Sequence, residues 1–155
     1  MRVTFVLPGA GDLPVGGFKV VYEYANRLAE RGHTVRVVHT AQPDRQAGLV
    51  TRLKKGVRFA QRALDGSHRP GWFALRPDVR LLWRATPAAN GVPDGDAVVA
   101  TSWETAEWAA GYPTRKGRGF YLIQHHETWS GPAERVDATF AAGLRNLVIA
   151  RWLQD

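Results

Sequence analysis

The sequence predicts an α/β fold, a mainly parallel and doubly wound sheet of about six strands with helices on both of its faces. Short apolar runs, such as residues 3–7, are typical of strands that are buried on both faces. Helical stripes of apolar residues alternate with these runs, and glycines and prolines separate the two kinds of segment. The 155 residues are enough for one domain with a hydrophobic core.

The first forty residues predict one βαβ unit. A strand over residues 2–7 leads through a glycine-bearing loop to a helix over residues 18–31 and a strand over residues 35–38. Gly32 directly follows the helix, where a left-handed C-cap favours glycine. Because the crossover is expected to be right-handed, the loop lies at the carboxyl end of the first strand, where ligands of open α/β sheets bind.

The remaining elements follow in order along the chain. Trp72 and Phe73 are expected to anchor the long loop before the third strand, and Thr101 or Ser102 can serve as the N-cap of the third helix. Glu104 in the first turn of that helix is expected to stabilise it. Further helices are predicted over residues 49–64, 103–110 and 132–142, strands over 79–83, 97–100, 120–123 and 147–149, and a helix that begins at 150.

Gly16 and Gly17, just before the first helix, suit a bound phosphate. Without Cβ atoms their N–H groups can approach a ligand closely, and a first helical turn has unpaired donors and a partial positive charge. The pair can also serve only as a tight turn, since Gly-Gly alone is a weak motif. The dinucleotide spacing Gly-x-Gly-x-x-Gly is absent, which disfavours an ordinary NAD site.

The net charge of +7 is concentrated in residues 51–84, which contain nine Lys and Arg residues and only two acids. On the predicted second helix an apolar stripe lies opposite a basic patch. This pattern is typical of a surface helix that packs its stripe on the sheet and leaves a solvated basic face. It also fits contact with anionic lipid or an anionic acceptor, whereas nucleic acid is disfavoured because no nucleic-acid module signature accompanies it. The patch consists of Lys54, Lys55, Arg58 and Arg62.

The composition restricts where such a chain would work. It has no cysteine, which excludes disulfides and thiolate metal sites and fits a reducing compartment. No segment approaches the apolar length of a membrane span, and the first strand is too short for the core of a signal peptide. We therefore expect a cytoplasmic protein, with peripheral contact to the inner face of the membrane through the basic helix.

Adjacent histidines follow the predicted strand over residues 120–123. An imidazole titrates near neutral pH and can donate or accept a hydrogen bond, so His125 and His126 are candidates for catalysis. Either one can also merely cap or pack. Together with Glu127 they are too local to complete a metal site, so no metal is expected.

The opening unit and this second motif resemble family 4 retaining glycosyltransferases, whose GT-B architecture places two Rossmann-like domains across a cleft. The second motif is especially similar to a bacterial, rhamnosyltransferase-like subgroup. The middle of the chain matches only in layout. The matching segments are Gly16-Gly17, residues 24–38 (YANRLAERGHTVRVV), residues 120–129 (FYLIQHHETW) and residues 147–153 (LVIARWL).

The resemblance implies that residues 1–155 form the amino-terminal, acceptor-side domain of an enzyme that transfers a sugar with retention. The donor would be a nucleotide-diphosphate sugar, bound mainly by a carboxyl-terminal domain that these residues lack, and no cofactor would be tightly bound. The acceptor would be a carbohydrate, a lipid-linked molecule or a small molecule. The isolated chain would have little activity. Two alternatives remain open, a binding subunit that needs a partner chain and a Rossmann-type nucleotide-binding enzyme.

The resemblance also implies roles for individual residues. His125 would contact the transferring sugar, with His126 as the competing choice, and Glu127 would orient that site or the acceptor. Substrate or its diphosphate would be contacted by Gly16, Gly17, Phe18, Thr101 and Ser102.

Overall fold

The computed structural model describes residues 1–42 and 44–153, and all the predicted strands are present in it. Each strand is short, and the helices alternate with the strands along most of the chain. The strands are β1 (Arg2–Pro8), β2 (Thr34–Thr40), β3 (Arg80–Arg84), β4 (Ala97–Ala100), β5 (Arg118–Ile123) and β6 (Arg145–Val148). The helices are α1 (Gly16–Glu30), α2 (Leu49–Asp65), α3 (Trp103–Ala109) and α4 (Ala133–Phe140).

The six strands form one sheet in the order β3-β2-β1-β4-β5-β6, and every neighbouring pair is parallel. The chain moves outward from β1 to β3, crosses back to the centre, and then moves outward again from β4 to β6. This is a Rossmann-like doubly wound fold, which confirms the predicted fold class. The loops after β1 and β4 therefore flank the topological switch point, where ligands of such sheets bind.

The core lies around the two central strands. Residues 3–7 of β1 and all four residues of β4 are buried. Helix α1 covers one face of the sheet with Val21, Tyr22 and Ala25, none of which is exposed to solvent. Because burying a Val or Leu side chain contributes about 1.5–3 kcal/mol, the apolar runs that predicted these strands also hold the sheet together.

Element boundaries differ modestly from those predicted. Helix α1 begins at Gly16 rather than Phe18, so the glycine pair forms its first turn. Gly32 has a φ of +82°, which confirms the left-handed position after the helix. Helix α4 ends at Phe140, and Gly143, also at +82°, follows it before β6. The predicted last helix is only a 3₁₀ turn at Arg151–Leu153. Ala150, where it was expected to begin, is not helical, and positions 154–155 lie outside the described residues.

Helix α2 lies with its apolar stripe toward solvent, the reverse of the packing expected for a surface helix. None of its residues is buried, and Leu53 and Leu64 are 64% and 90% exposed. The expectation that this stripe packs on the sheet is therefore wrong. The other exposed members of the stripe are Leu49, Val50 and Val57.

Contacts on the opposite face explain this orientation of α2. Phe59 stacks on Trp83 of β3 with ring centroids 5.4 Å apart, and its carbonyl accepts a hydrogen bond from the indole N–H at 3.1 Å. Arg62 forms a bidentate ion pair with Asp12, with both N···O distances at 2.8 Å. Because these contacts hold the Phe59 and Arg62 side of the helix inward, the apolar stripe on the other side faces solvent.

Candidate functional site

The residues predicted to form a site all lie at the carboxyl edge of the sheet. Gly16 and Gly17 begin α1 directly after the loop that follows β1, Thr101 and Ser102 follow β4, and residues 124–127 follow β5. Since all the strands are parallel, these loops meet at one edge. The fold therefore brings together segments that are far apart in the sequence.

The first turn of α1 offers free backbone donors. Val15 is the N-cap but makes no side-chain capping bond, and no acid lies in the first turn. The first helical hydrogen bond runs from Lys19 N–H to the Val15 carbonyl at 3.0 Å. In the described part of the chain, the N–H groups of Gly16 and Gly17 have no acceptor. A Cβ on Gly16 would meet no atom within 4 Å, so this turn opens into free space and can accept an anion.

A side chain just after β5 connects the two predicted motifs. Gln124 Nε2 donates a hydrogen bond to the Gly17 carbonyl at 3.2 Å. The other amide atom, Oε1, is buried and has no partner among the described residues. Phe18, which is also expected to contact substrate, is half-buried and packs on the core, with its ring 5.3 Å from that of His39. Its predicted contact with substrate stays a prediction.

Glu127 lies in a partly desolvated position beside the start of α3. Its Oε2 atom accepts a hydrogen bond from Trp103 N–H at 2.9 Å. Burial raises the pKa of Glu127 to about 7, although the Trp103 N–H and His125 oppose the shift. Repulsion from Glu104 adds to the raised pKa of Glu127. Burial also raises the pKa of Glu104, and repulsion from Asp44 adds to that shift. A carboxyl group that exchanges its proton near pH 7 suits general acid or base chemistry.

The two histidines point to different surroundings. His125 lies edge-on to Trp129 and Trp152, with centroid distances of 4.3 and 5.5 Å. His126 Nε2 lies 2.8 Å from Asp137 Oδ1 on α4. It lines a separate cavity of about 750 Å³ between α4 and β6. The two imidazoles thus have different partners, although Trp152 lies against His125 and also lines the cavity of His126. The choice of His125 for the sugar stays a prediction.

Thr101 and Ser102 have structural hydrogen bonds. Thr101 Oγ1 donates to the Val6 carbonyl of β1 at 3.0 Å, and Ser102 caps α3 by accepting from Thr105 N–H at 3.3 Å. Both side chains are buried. Ser102 confirms the predicted N-cap, whereas contact of either residue with a diphosphate stays a prediction.

The basic patch divides between two environments. Lys55, Arg58 and Arg62 line a cavity of about 290 Å³ between α2 and the loop after β1, whereas Lys54 does not line it; Arg58 and Lys54 are exposed, and Lys55 and Arg62 are half-buried. Asp12 also lines this cavity, and its hydrogen bonds from Arg62 hold its pKa below the usual range. No motif singles out Asp12, and the only signal for it in the sequence is that an acid follows the first strand.

A buried pair that sequence reasoning missed fixes the loop after β1. His39 Nδ1 donates to the Gly9 carbonyl at 2.9 Å, and the Tyr22 hydroxyl donates to His39 Nε2 at 2.8 Å. The carbonyl can only accept, so the ring is neutral with its proton on Nδ1. Burial lowers the pKa of His39 to about 4, which agrees with this assignment. Trp72 Nε1 donates to the Gly11 carbonyl at 2.8 Å and confirms the predicted anchor.

Residues 1–42 and 44–153 contain no group of three or more His, Cys, Asp or Glu side chains arranged to hold a metal ion. Over the same residues, no helix has the length and apolar character needed to cross a membrane. Comparison with protein-family models, with curated proteins and with solved structures gave no match.

Proposed function

We propose that this chain is the acceptor-side domain of a glycosyltransferase that transfers a sugar from a nucleotide-diphosphate sugar with retention. The observation that carries the proposal is the link between Gly17 and Gln124. It joins an uncapped helix start, suited to an anion, to the segment that bears His125 and Glu127. A helix start suited to an anion and titratable groups beside it at one edge of the sheet are what sugar transfer from a diphosphate donor needs.

In this proposal the chain positions the reactants and stabilises developing charge. The free N–H groups of Gly16 and Gly17 face the departing diphosphate or the acceptor. His125 contacts the transferring sugar, and Glu127 orients the site through its protonation state near neutral pH. Most donor contacts come from a second domain, and no tightly bound cofactor takes part. The work takes place in the cytoplasm.

The experiment begins with the gene beyond the codon for Asp155. We expect a continuing frame that encodes a second βαβ series, and the extended protein to transfer sugar from uridine, guanosine or thymidine diphosphate donors. The anomeric configuration of the product, read by NMR, should match that of the donor. Glu127→Gln should lower the rate about 100-fold. Robust transfer by the 155-residue chain alone would contradict the division of labour proposed here.

A binding subunit that pairs with a separate donor-binding chain is the second candidate, and one observation favours it. Large apolar side chains are exposed near β6, at the edge of the sheet. A stop codon after Asp155, with no transfer until a partner chain is added, would favour this candidate. Tight nucleotide binding without any partner would instead indicate a Rossmann-type nucleotide-binding enzyme. The exposed residues are Trp129, Leu147, Ile149 and Trp152.

We also propose that α2 contacts anionic membrane lipid at the inner face of the membrane. Its exposed stripe is apolar, and the helix carries five cations and one acid. An apolar stripe flanked by cations enters the headgroup region of anionic bilayers. The chain should bind vesicles of phosphatidylcholine with phosphatidylserine better than vesicles of phosphatidylcholine alone. Leu53→Ser with Val57→Ser should abolish that preference, and equal binding to both vesicles would disprove it.

A further inference from the structure

The cavity beneath α2 is distinct from the helix start of α1 and from the loop after β5. It lies where β1, β2 and β3 end, and its volume is about 290 Å³. The wall on the α2 side is basic, and Phe59 and Trp83 add an aromatic wall. The side chains that matter for its chemistry are Asp12, Lys55, Arg58, Phe59, Arg62 and Trp83.

The charges of this cavity are unbalanced. Arg62 is fully engaged with Asp12 through two hydrogen bonds of 2.8 Å. Within the described residues, Lys55 and Arg58 have no ion pair within 4 Å and no side-chain hydrogen bond. Arg58 attracts Asp12 and Lys55 attracts Asp44 only at longer range, so the concave surface has more positive than negative charge and neither cation is directly paired. Such a surface attracts an anion with several acceptor oxygens.

The walls of the cavity are held in place before any ligand arrives. His39 and Trp72 fix the loop over residues 9–11 through hydrogen bonds to its carbonyl oxygens. On the other side, the His68 ring stacks on Trp83 at 5.4 Å and His68 Nδ1 donates to the Arg62 carbonyl at 2.8 Å. A preformed site loses less conformational entropy when a ligand binds.

We propose that this cavity binds a phosphate group of the acceptor, with Lys55 and Arg58 as its ligands. The inference rests on the proposed function and specifies its acceptor as a phosphorylated molecule. Asp12 and the Gly16 turn belong to one loop, so a phosphate held under α2 places the rest of the acceptor along the way to the start of α1. The aromatic wall suits the less polar part of the molecule next to the phosphate.

The phosphate can belong to a soluble metabolite or to a lipid headgroup, because α2 lies between the cavity and the solvent. The inner side of α2 lines the cavity, while its outer stripe is exposed. Glycerol 3-phosphate serves as the soluble probe, and phosphatidylcholine vesicles with phosphatidic acid serve as the lipid probe. Inorganic phosphate tests the shared chemistry without either carrier.

The test compares two double variants of equal charge change. Lys55→Gln with Arg58→Gln removes the proposed ligands, whereas Arg52→Gln with Lys54→Gln removes exposed cations of the same helix. NMR titration of the indole and amide signals with inorganic phosphate should show saturable binding to the unmodified chain. The first variant should bind at least about tenfold more weakly, and the second should bind normally. Thermal melts of both variants establish that they are folded.

Loss of phosphate binding in the Lys55 and Arg58 variant alone supports the site. Loss of glycerol 3-phosphate binding indicates that the phosphate belongs to a soluble molecule, and loss of binding to phosphatidic acid vesicles indicates a lipid headgroup. Equal losses of inorganic phosphate or glycerol 3-phosphate binding in both variants, or no saturable binding in any arm, would overturn it. The readout is binding, so it separates this inference from the proposed function. If the protein binds phosphate but transfers no sugar, the phosphate site is supported. Only the interpretation that the phosphate belongs to a sugar acceptor would then be wrong.

Discussion

The Oε2 atom of Glu127 accepts a hydrogen bond from the backbone N–H of Trp103 at 2.9 Å, which joins the loop after β5 to the start of α3. The same position is partly desolvated, and this raises the pKa of Glu127 to about 7. One side chain thus stabilises a helix start and holds a proton near neutral pH. These two properties respond differently to substitution.

Glu127→Gln should change how stability depends on pH. The folded-state pKa is raised from 4.5 to about 7, so the folded state binds the extra proton in this window and stability falls as the pH rises through it. After allowance for the partial exposure of Glu127, the loss is about 1–2 kcal/mol. Gln can still accept from Trp103 but cannot ionise. Urea unfolding should show that the free energy of unfolding of the variant, relative to that of the unmodified chain, is higher at pH 8 than at pH 5. If the difference between the two proteins is the same at both pH values, the prediction is contradicted.

His39 should produce the opposite dependence at lower pH. Its pKa falls from 6.5 unfolded to about 4 folded, so the unfolded state binds more protons between these values. Its contribution of about 3 kcal/mol is present above pH 6.5 and is lost as the pH falls toward 4. NMR titration should follow the His39 ring with a midpoint near 4. A midpoint at the ordinary value would show that the ring is solvated rather than bonded between Gly9 and Tyr22.

Gly11→Ala should destabilise the protein, and Gly16→Ala should not. A Cβ on Gly11 would overlap the Tyr22 hydroxyl, which donates to His39, whereas one on Gly16 would meet nothing within 4 Å. Displacing the buried Tyr22 hydroxyl leaves the acceptor nitrogen of His39 unpaired, at a cost of about 1–3 kcal/mol. Thermal unfolding of both variants checks this. Similar melting temperatures for both would mean that the loop is free to move.

The sequence predicted the sheet well because its signal is local. An apolar run between turn residues describes a strand buried on both faces, and parallel order follows from the helices between such runs. Residues 3–7 and β4 satisfied that pattern fully. The cap of α3 could be narrowed to Thr101 or Ser102 for the same reason, and the structure shows that it is Ser102, directly before the helix.

Contacts between distant residues could not be predicted in this way. The periodicity of α2 gave a correct helix but not the face that meets the protein. That face depends on Arg62 reaching Asp12 and Phe59 reaching Trp83, and neither partner lies near in the sequence. His39 was hidden inside a strand for the same reason. Its role depends on Tyr22 and Gly9, which the fold brings beside it.

The orientation of α2 predicts that a Leu→Ala substitution in its stripe costs much less stability than the same substitution in the core. Leu53 is 64% exposed, whereas Leu7 of β1 is fully buried. Leu53→Ala removes little buried surface and should change the free energy of unfolding by less than about 0.5 kcal/mol. Leu7→Ala leaves a cavity in the core and should cost about 2–5 kcal/mol. Urea unfolding of both variants tests this difference. A large loss at Leu53 would show that the stripe packs on the protein in solution, and it would then be unable to meet a lipid surface.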